Sequence, residues 1–391
     1  MYSPQRVPGG FPIVGIIGGG QLARMCQPPA INLSITLDVL IERSDAAAAQ
    51  VIPATSVGSH LNQERVLAFA RDCDIVTFDH EHVPQEILHA LVDAGVVVHP
   101  KPEALIYAQD KLAMRRRLTQ LQVPCPEWAA VSDCAELTVF GDRHGWPVVL
   151  KTPRGGYDGK NVRVIHDAVE ANDWFARGEV LLAETSVPFT RELAVLVARS
   201  PSGQAAVWPI VHTVQTDGIC TEVLAPAPDL EPGLQSAVTH TALSIVGELD
   251  VTGVFALELF EIANPESGGS SYVVNEFAMR PHNSGHWTMD GSVTSQFEQH
   301  LRAVLDLPFG DVRPRARWSV MANVLGGDYP ELYPAYKHLL ARDPGLKVHF
   351  YGKGMWPGRK IGHVNVYGDD LQALRERARY AVDYFEGTIT E

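Results

Sequence analysis

The sequence predicts a mixed fold in which a parallel α/β unit is followed by two α+β units. The apolar run at residues 11–17 meets three consecutive glycines and then a helical pattern at residues 21–25, which is how a parallel unit begins. Short Val, Ile and Leu runs then alternate with helix-length stretches as far as about residue 110. Beyond that point, strands follow one another with fewer helices between them, which indicates α+β structure.

The first unit, residues 1–112, contains several further elements after this strand and helix. Pro28 and Pro29 are expected to end the first helix early, because proline lacks the N–H group that a helix interior requires. The other predicted strands cover residues 35–41, 74–78 and 95–98, and the other predicted helices cover residues 61–72 and 84–93.

The rest of the chain is predicted to divide at about residue 188, into residues 113–188 and residues 189–391. The earlier part opens near a helix at residues 111–122 and has strands at 148–150, 162–165 and 180–182. The later part has strands at residues 192–197, 254–260, 272–276 and 362–367, and helices at residues 234–249, 295–305 and 371–385.

The composition is that of a globular protein of two to four domains, with 391 residues that are 46% hydrophobic and 20% charged. The formal net charge of −14, without any basic run, argues against nucleic-acid binding. The five cysteines show no CxxC spacing, and no apolar run reaches about 18 residues. We therefore expect a cytoplasmic protein with reduced thiols and no membrane association.

The first glycine turn fits the pattern G-x-G-x-x-A at Gly18, Gly20 and Ala23, with Asp38 at the end of the next predicted strand. Such a turn can set a pyrophosphate on the N-terminus of a helix, as in NAD-binding proteins. Parallel sheets also need tight strand-to-helix turns that bind no such ligand. The motif leaves both interpretations open.

A second glycine segment, residues 151–161, carries three glycines, two lysines and an arginine. It is not a Walker loop, because its spacing is one residue short, no Ser or Thr follows Lys160, and a strand comes next. Between two antiparallel strands it would form a flap whose backbone N–H groups close over phosphates. A solvated loop is the alternative, which this composition disfavours.

Two carboxylates, Glu258 and Glu276, fall on the two predicted strands of a hairpin. A hairpin symmetric about residue 267 places them opposite each other, where like charges destabilise a sheet unless a cation lies between them. Together with Asn275 they offer the hard oxygen ligands that Mg²⁺ prefers beside substrate phosphates. The alternative is a pair of solvated sheet residues, which the apolar flanking positions disfavour.

Two loops in the last third of the chain concentrate polar and basic residues. The loop at residues 280–286 holds an arginine, two histidines, an asparagine and a serine, but Pro281 and Gly285 argue against the helix that a zinc HExxH site requires. A polar substrate site or a hydrogen-bonded turn remain the alternatives there. The loop at residues 353–360 places three cations among glycine and proline in an acidic protein, which favours an anion site.

Several segments taken together closely resemble the 5-(carboxyamino)imidazole ribonucleotide synthase family, which are ATP-grasp ligases of purine biosynthesis. The resemblance runs from about Val14 to Val366. It implies an ATP-grasp fold with a Rossmann-like N-terminal domain, a small lid domain and a larger C-terminal domain, and members of the family are usually homodimers. The matching segments are VGIIGGGQLARM, QDK at residues 109–111, LKTPRGGYDGKN, LLAET with the following Arg-Glu, ALE…NEFAMRPHNSGHWT and PGRKIGHVN.

The resemblance also implies residue roles. The residues implied for ATP are Lys111, Lys151, the flap residues Gly156, Tyr157, Asp158, Gly159 and Lys160, the adenine hinge Glu184, Thr185, Ser186 and Val187, the ribose ligand Glu192, and His212, Asn275 and Glu276. The residues implied for aminoimidazole ribonucleotide are Gly20, Gln21, Leu22, Glu81, Tyr157, Asp158, Arg280, His282, Asn283, Ser284, Lys353, Arg359 and Lys360. Those implied for Mg²⁺ are Glu258, Asn275 and Glu276, and the candidate catalytic residues are Asp158, His282 and Lys360.

The chain departs from the family pattern at three places. Asn161 replaces the usual flap glycine, residues 78–81 vary the usual Phe-Glu stretch, and residues 28–29 and 42–44 differ from the usual second strand and turn. These departures affect the N-terminal edge of the substrate site more than the ATP site.

The implied reaction joins bicarbonate to the exocyclic amine of aminoimidazole ribonucleotide. ATP phosphorylates bicarbonate, and the amine attacks the resulting carboxyphosphate or the CO₂ that it releases. A formate-using or amine-forming purine ligase, an NAD-dependent dehydrogenase and a non-catalytic nucleotide sensor are the competing functions. The second glycine segment has no role in a dehydrogenase, and the retained glutamate pair argues against a sensor.

Overall fold

The computed structural model describes residues 4–155, 161–264, 268–327 and 331–389. The flap predictions for Gly156, Tyr157, Asp158, Gly159 and Lys160 lie outside the described residues. Within the described part, three sheets of five, four and nine strands follow one another along the chain. The predicted domain limits at residues 112 and 188 fall between these sheets and stay predictions.

The first sheet is parallel, and helices connect its strands. Its strands are β1 (Ile13–Ile17), β2 (Thr36–Ile41), β3 (Ala54–Val57), β4 (Ile75–Phe78) and β5 (Val97–Val98), and the helices of this part are α1 (Gln21–Asn32), α2 (Gln63–Ala70), α3 (Gln85–Asp93) and α4 (Pro102–Gln109). The spatial order is β3-β2-β1-β4-β5. The strand order reverses at β1, so the crevice beyond the carboxyl ends of β1 and β4 is the switch point of this sheet.

Helix α1 continues through Pro28 and Pro29 to Asn32, so the expected early end is wrong. Proline inside a helix costs roughly 3 kcal/mol because it removes a backbone hydrogen bond. Here Cys26, Pro29 and Ala30 are buried, and Ala30 belongs to the hydrophobic core that α1 shares with β1 and β2. The burial of this apolar face offsets the cost of the prolines.

The second sheet is antiparallel and has the order β6-β9-β7-β8. Its strands are β6 (Trp128–Val131), β7 (Val148–Lys151), β8 (Val162–Ile165) and β9 (Leu181–Thr185), and the helices of this part are α5 (Lys111–Gln120), α6 (Cys134–His144) and α7 (Asn172–Phe175). Lys151 at the end of β7 pairs with Val162 at the start of β8. The prediction that the second glycine segment joins two antiparallel strands is confirmed.

The third sheet is antiparallel, with the order β15-β14-β10-β12-β13-β16-β18-β17 and β11 paired to β10. Its strands are β10 (Arg191–Arg199), β11 (Ala205–Val207), β12 (Val211–Thr216), β13 (Ile219–Ala225), β14 (Gly253–Asn264), β15 (Gly269–Ala278), β16 (Trp318–Leu325), β17 (Lys347–Phe350) and β18 (Lys360–Gly368). The helices are α8 (Pro232–Glu248), α9 (Thr288–Gly291), α10 (Gln296–Val304), α11 (Tyr333–Arg342) and α12 (Leu371–Glu386).

The two faces of the third sheet contribute to different hydrophobic cores. Leu193 lies in the core that includes α8, whereas Ala194 lies in a second core with Trp287. Partners across an antiparallel ladder share a face, and residues two apart on a strand do so as well. Glu192 and Glu258 therefore lie on the face of Ala194, since Glu258 pairs with Ala194.

The helices and the cysteines bear on the expectations about membranes and disulfides. None of the helices in the described residues is both long and apolar enough to cross a bilayer. No disulfide bond joins the five cysteines, all of which lie in the described residues.

Candidate active site

Glu258 of β14 lies directly opposite Glu276 of β15, as the hairpin symmetry predicts. The register then shifts by one, because the next residue, Leu259, pairs with Val274. Asn275 is therefore the extra residue of a β-bulge. Bulges re-aim the side chains beside them and are common next to active sites.

Each carboxylate of this pair contacts a nitrogen atom of a different side chain. His282 Nε2 lies 2.8 Å from Glu258 Oε1, and Lys111 Nζ lies 2.6 Å from Glu276 Oε2. Burial acts to raise the pKa of Glu276, but Lys111, Lys151 and His282 together lower that pKa to about 2. Lys111 therefore offsets the charge of one of the opposed carboxylates, and His282 contacts the other.

The two lysines predicted for ATP phosphates converge on the β15 bulge. The Lys111 N–H at the start of α5 donates to Pro153 O over 2.8 Å, which joins this helix to the chain that follows β7. Lys151 Nζ donates to Asn275 Oδ1 over 3.1 Å and lies 2.7 Å from Glu184 Oε2. The structure therefore brings residues from three distant segments to one place.

Glu184, predicted for the adenine hinge, has its carboxylate enclosed by two cations. The side chain is 3% exposed and pairs with Arg115 and Lys151. Burial acts to raise the pKa of Glu184, but these two cations hold the pKa below its ordinary value. The Glu184 carboxylate is therefore occupied by cations of the protein itself, and residues 186–190 connect β9 with β10.

Arg115 is a residue of this site that the sequence analysis missed. It lies four residues after Lys111 on α5, and a spacing of four places two side chains on the same helix face. This spacing was the signal that could have identified it.

Glu192, the predicted ribose ligand, lies on the same sheet face as Glu258. Burial and the nearby Glu258 raise the pKa of Glu192 to about 7, although a hydrogen bond with the Gln215 side chain acts to lower it. His212 pairs with Leu193, so it lies on the opposite face. The prediction of His212 as a nucleotide contact stays a prediction, and Gln215 is the β12 residue whose side chain hydrogen-bonds Glu192.

The loop at residues 280–286 contacts both the parallel sheet and the nine-stranded sheet. Arg280 Nε lies 2.7 Å from Glu81 Oε2, beyond the end of β4. His282 Nε2 contacts Glu258, while His282 Nδ1 lies 2.9 Å from Ser284 Oγ. The predicted substrate loop therefore lies between the carboxyl edge of the parallel sheet and the glutamate pair.

Asn283 exchanges two amide hydrogen bonds with Asn323 of β16, at 3.0 and 2.9 Å. Asn323 is 2% exposed and also donates to Cys220 O over 2.8 Å. The sequence analysis missed Asn323, because a single asparagine in an apolar strand carries no motif. The amide pair fixes the orientation of Asn283 within the loop.

The predicted substrate residues from the first glycine turn have different surroundings. Lys353 Nζ binds Gln21 Oε1, which joins two residues predicted for the ribonucleotide. Leu22, by contrast, is 5% exposed in the hydrophobic core around α1. Helix periodicity turns the Leu22 side chain into the core, so a substrate contact of Leu22 would fall to its backbone, and this contact stays a prediction.

Lys360 is the first residue of β18, and Arg359 directly precedes it. The Arg359 guanidinium lies over the Trp356 ring, 5.4 Å from its centroid, and donates to Gly354 O over 3.2 Å. Lys360 pairs with Leu325 in the ladder between β16 and β18. These contacts hold the two cations on the loop where the sequence predicts an anion site.

The first glycine turn binds a side chain of the protein itself. The Gly20 N–H donates to Asp79 Oδ2 over 3.0 Å, and the Ala23 N–H donates to Asp79 Oδ1 over 2.8 Å. The Asp79 carboxylate therefore lies at the switch point, where a dinucleotide would place its pyrophosphate. Asp38 lies inside β2 and is 2% exposed, which corrects its expected place at the strand end. Both features argue against an NAD site.

Asn161 shows how the chain accommodates its departure from the family glycine. Its φ of 62° is in the left-handed region, where asparagine is among the few residues other than glycine that are found often. Its carbonyl accepts a hydrogen bond from the Thr152 N–H over 3.2 Å. The backbone conformation that suits glycine is therefore kept.

The glutamate pair fits Mg²⁺ better than zinc. In the part of the chain that the structure describes, no three His, Cys, Asp or Glu residues are grouped to hold a metal alone. Mg²⁺ commonly uses one or two carboxylates and completes its shell with phosphates and water. Glu258, Asn275 and Glu276 supply such oxygen atoms, and the lysines beside them suit phosphate groups.

Family models match three consecutive stretches of the chain. They are described as a ribonucleotide synthetase preATP-grasp domain at residues 12–109, an ATP-grasp domain at residues 116–297 and a phosphoribosylaminoimidazole carboxylase C-terminal domain at residues 319–377.

Individual relatives agree with these family models over nearly the whole chain. N5-carboxyaminoimidazole ribonucleotide synthase of Mycobacterium tuberculosis strain H37Rv is 49% identical over 380 residues, covering 95% of this chain and 87% of the relative. The crystal structure of N5-carboxyaminoimidazole ribonucleotide synthetase from Thermus thermophilus has a TM-score of 0.85 and 35% identity, covering 97% of this chain and 99% of that one.

A third similar protein was solved with two small molecules bound. N5-carboxyaminoimidazole synthase from Aspergillus clavatus, in complex with ADP and 5-aminoimidazole ribonucleotide, has a TM-score of 0.85 and 30% identity, covering 96% of this chain and 99% of that one. With its ATP-grasp fold, the chain belongs to the N5-carboxyaminoimidazole ribonucleotide synthase family, an alternative name for the family that the sequence resembles.

Proposed function

We propose that this protein carboxylates 5-aminoimidazole ribonucleotide with bicarbonate at the expense of ATP. The products are N5-carboxyaminoimidazole ribonucleotide, ADP and phosphate, in purine biosynthesis. The contact between His282 and Glu258 carries this proposal, because it joins the predicted substrate loop directly to the predicted metal site. The reacting groups of ATP and of the ribonucleotide would therefore meet at neighbouring side chains.

The proposed reaction transfers a phosphoryl group and then forms a C–N bond. A bicarbonate oxygen attacks the γ-phosphorus of ATP, and ADP leaves with the bridging oxygen. The exocyclic amine then attacks the activated carbon, phosphate leaves with the C–O electron pair, and the amine loses a proton. Phosphoryl transfer needs alignment and charge neutralisation above all, which Lys111 and Lys151 can provide.

Mg²⁺ is the proposed metal, and it would neutralise further phosphate charge when held by Glu258, Asn275 and Glu276. The oxygen atoms of these side chains and the family resemblance support this choice. A homodimer and a cytoplasmic location are likewise proposed on the resemblance.

His282 is the described candidate for accepting the proton of the amine. Glu258 faces its Nε2 and can stabilise the imidazolium that proton uptake produces. Asp158, the second candidate, lies outside the described residues. Lys360, at the start of β18, stays a proposed catalytic residue beside the ribonucleotide.

Incubation with isotopically labelled bicarbonate tests this function. With ATP, Mg²⁺ and 5-aminoimidazole ribonucleotide, the protein should form labelled carboxylated product and ADP in equal amounts. Omission of the ribonucleotide should remove most ADP formation, and omission of bicarbonate should remove the product. Ligation of formate in place of bicarbonate, or reduction of NAD, would show that the proposal is wrong.

A further inference from the structure

Arg115 is a buried arginine that links three separate parts of the fold. Its side chain is 0% exposed on α5, and its Nε atom binds Glu184 of β9. Its Nη1 atom donates to Val274 O over 3.1 Å, and its Nη2 atom donates to Asn275 O over 2.6 Å. One guanidinium therefore links a helix, the small sheet and the large sheet.

These contacts close a ring of four residues, three of which belong to the candidate ATP site. Arg115 binds one oxygen of Glu184, and the other oxygen lies 2.7 Å from Lys151 Nζ. Lys151 Nζ donates to the Asn275 side chain over 3.1 Å, and the Asn275 carbonyl accepts from Arg115. Each member holds two others, so a displaced Arg115 would displace Lys151 and Asn275 as well.

The ring also holds the backbone of the β15 bulge. A bulge leaves its extra residue outside the regular hydrogen-bonding ladder. The carbonyls of Val274 and Asn275 accept hydrogen bonds from Arg115 there. The carboxylate of the next residue, Glu276, lies 2.6 Å from Lys111 Nζ. Arg115 of α5 therefore supports the backbone conformation that directs the side-chain oxygens of Asn275 and Glu276.

Arg115 also balances the charge of Glu184. A carboxylate that is 3% exposed is unfavourable unless cations and hydrogen bonds compensate it. Arg115 binds one oxygen of Glu184, so Lys151 contacts only the other oxygen and the Asn275 side chain. Since an ammonium group has three N–H donors, one donor of Lys151 is left for a phosphate. Without the guanidinium, Lys151 alone would have to neutralise Glu184.

We propose that Arg115 is a positioning residue of the ATP site, which holds Lys151 and the Asn275 bulge in the arrangement that binds nucleotide phosphates and Mg²⁺. This inference rests on the proposed function, from which it takes the ATP site. Arg115 acts through Glu184 and the bulge, not on ATP itself. Its substitution should therefore weaken nucleotide binding more than ribonucleotide binding.

Calorimetric titration of the full-length protein with ADP and Mg²⁺ tests this role. Arg115→Lys keeps the charge but cannot donate in the directions of the planar guanidinium. We expect its dissociation constant for ADP to rise by about 10-fold or more, because charge-assisted hydrogen bonds are lost. The KM for 5-aminoimidazole ribonucleotide should stay nearly constant. Arg116→Lys, at the exposed neighbouring position, is the matched control and should bind ADP like the wild type.

Thermal melting distinguishes positioning from a general structural role. If Arg115 only supported the fold, Arg115→Lys would lower Tm while the folded protein bound ADP normally, and this result would overturn the inference. The double variant Arg115→Met/Glu184→Gln removes the two most deeply buried charges together, so neither of them is left without the other. Its affinity for ADP with Mg²⁺ should also fall by about 10-fold or more, and a wild-type affinity would likewise overturn the inference.

The two proposals fail in different ways. If the wild type binds ADP but forms no carboxylated product, the proposed function is wrong, while the ADP affinities of the variants still decide the role of Arg115. If product forms and Arg115→Lys binds ADP normally, only the role of Arg115 is wrong.

Discussion

Arg280 and Glu81 form an ion pair of 2.7 Å between the loop that follows β15 and the segment that follows β4. Glu81 is 8% exposed and also accepts a hydrogen bond from the Met279 N–H over 3.3 Å. Although burial acts to raise the pKa of Glu81, Arg280 holds that pKa below its ordinary value. The predicted substrate loop is therefore anchored to the parallel sheet by a charged contact.

We expect Glu81→Gln to release this anchor. The loop would lose a charge-assisted hydrogen bond worth roughly 1.5 to 3 kcal/mol, so the KM for 5-aminoimidazole ribonucleotide should rise by about 10-fold or more. Initial rates at saturating ATP provide the measurement. Glu86→Gln, at an exposed position on α3, is the control. An unchanged KM would show that the ion pair has no part in substrate binding.

Glu276→Gln should reduce turnover by about 100-fold or more, because it removes the charged oxygen donor proposed for Mg²⁺. The fold should survive, since the substitution also removes the repulsion between the opposed Glu258 and Glu276. Turnover and thermal melting of the purified variant check both parts. Near-normal turnover at limiting Mg²⁺ would contradict the metal assignment.

Glu192 should make stability depend on pH near neutrality. Its pKa of about 7 in the folded protein exceeds the ordinary value of 4.5, so the folded state binds this proton more tightly than the unfolded state does. The contribution of Glu192 to the free energy of unfolding is therefore fully present below about pH 4.5 and is lost as the pH rises through about 7.

Glu192→Gln stays uncharged throughout this range. Without nucleotide or metal, its Tm relative to the wild type should therefore rise as the pH increases from about 5 to about 8. Melting curves of both proteins across this range give the measurement, with an exposed residue, Glu179→Gln, as the control. A difference in Tm that does not change with pH would exclude the raised pKa.

Arg359→Ala should raise the KM for 5-aminoimidazole ribonucleotide by about 10-fold or more and leave the KM for ATP nearly unchanged, since an arginine can bind a phosphate dianion with two parallel hydrogen bonds. Steady-state kinetics with each substrate varied provide the measurement. Arg359 also stacks on Trp356. If this stacking were its whole role, both KM values and Tm would shift together. A shift in the KM for ATP alone would reassign the loop to the nucleotide.

Features that depend on neighbouring residues could be predicted from the sequence. The hairpin that opposes Glu258 and Glu276 and the antiparallel strands around the second glycine segment both follow from short apolar runs with turn residues between them. The order of strands and helices in the parallel unit follows from the same periodicity. The resemblance of several motifs in a fixed order then indicated the family.

Features that depend on packing between distant segments were decided only by the tertiary structure. The register of β12 against β10 places Gln215 instead of His212 beside Glu192, because a strand sends alternate residues to opposite faces. Burial of its apolar face lets α1 continue through two prolines. Arg115 is charged and yet fully buried, because partners from β9 and β15 surround it only after the two antiparallel sheets have assembled.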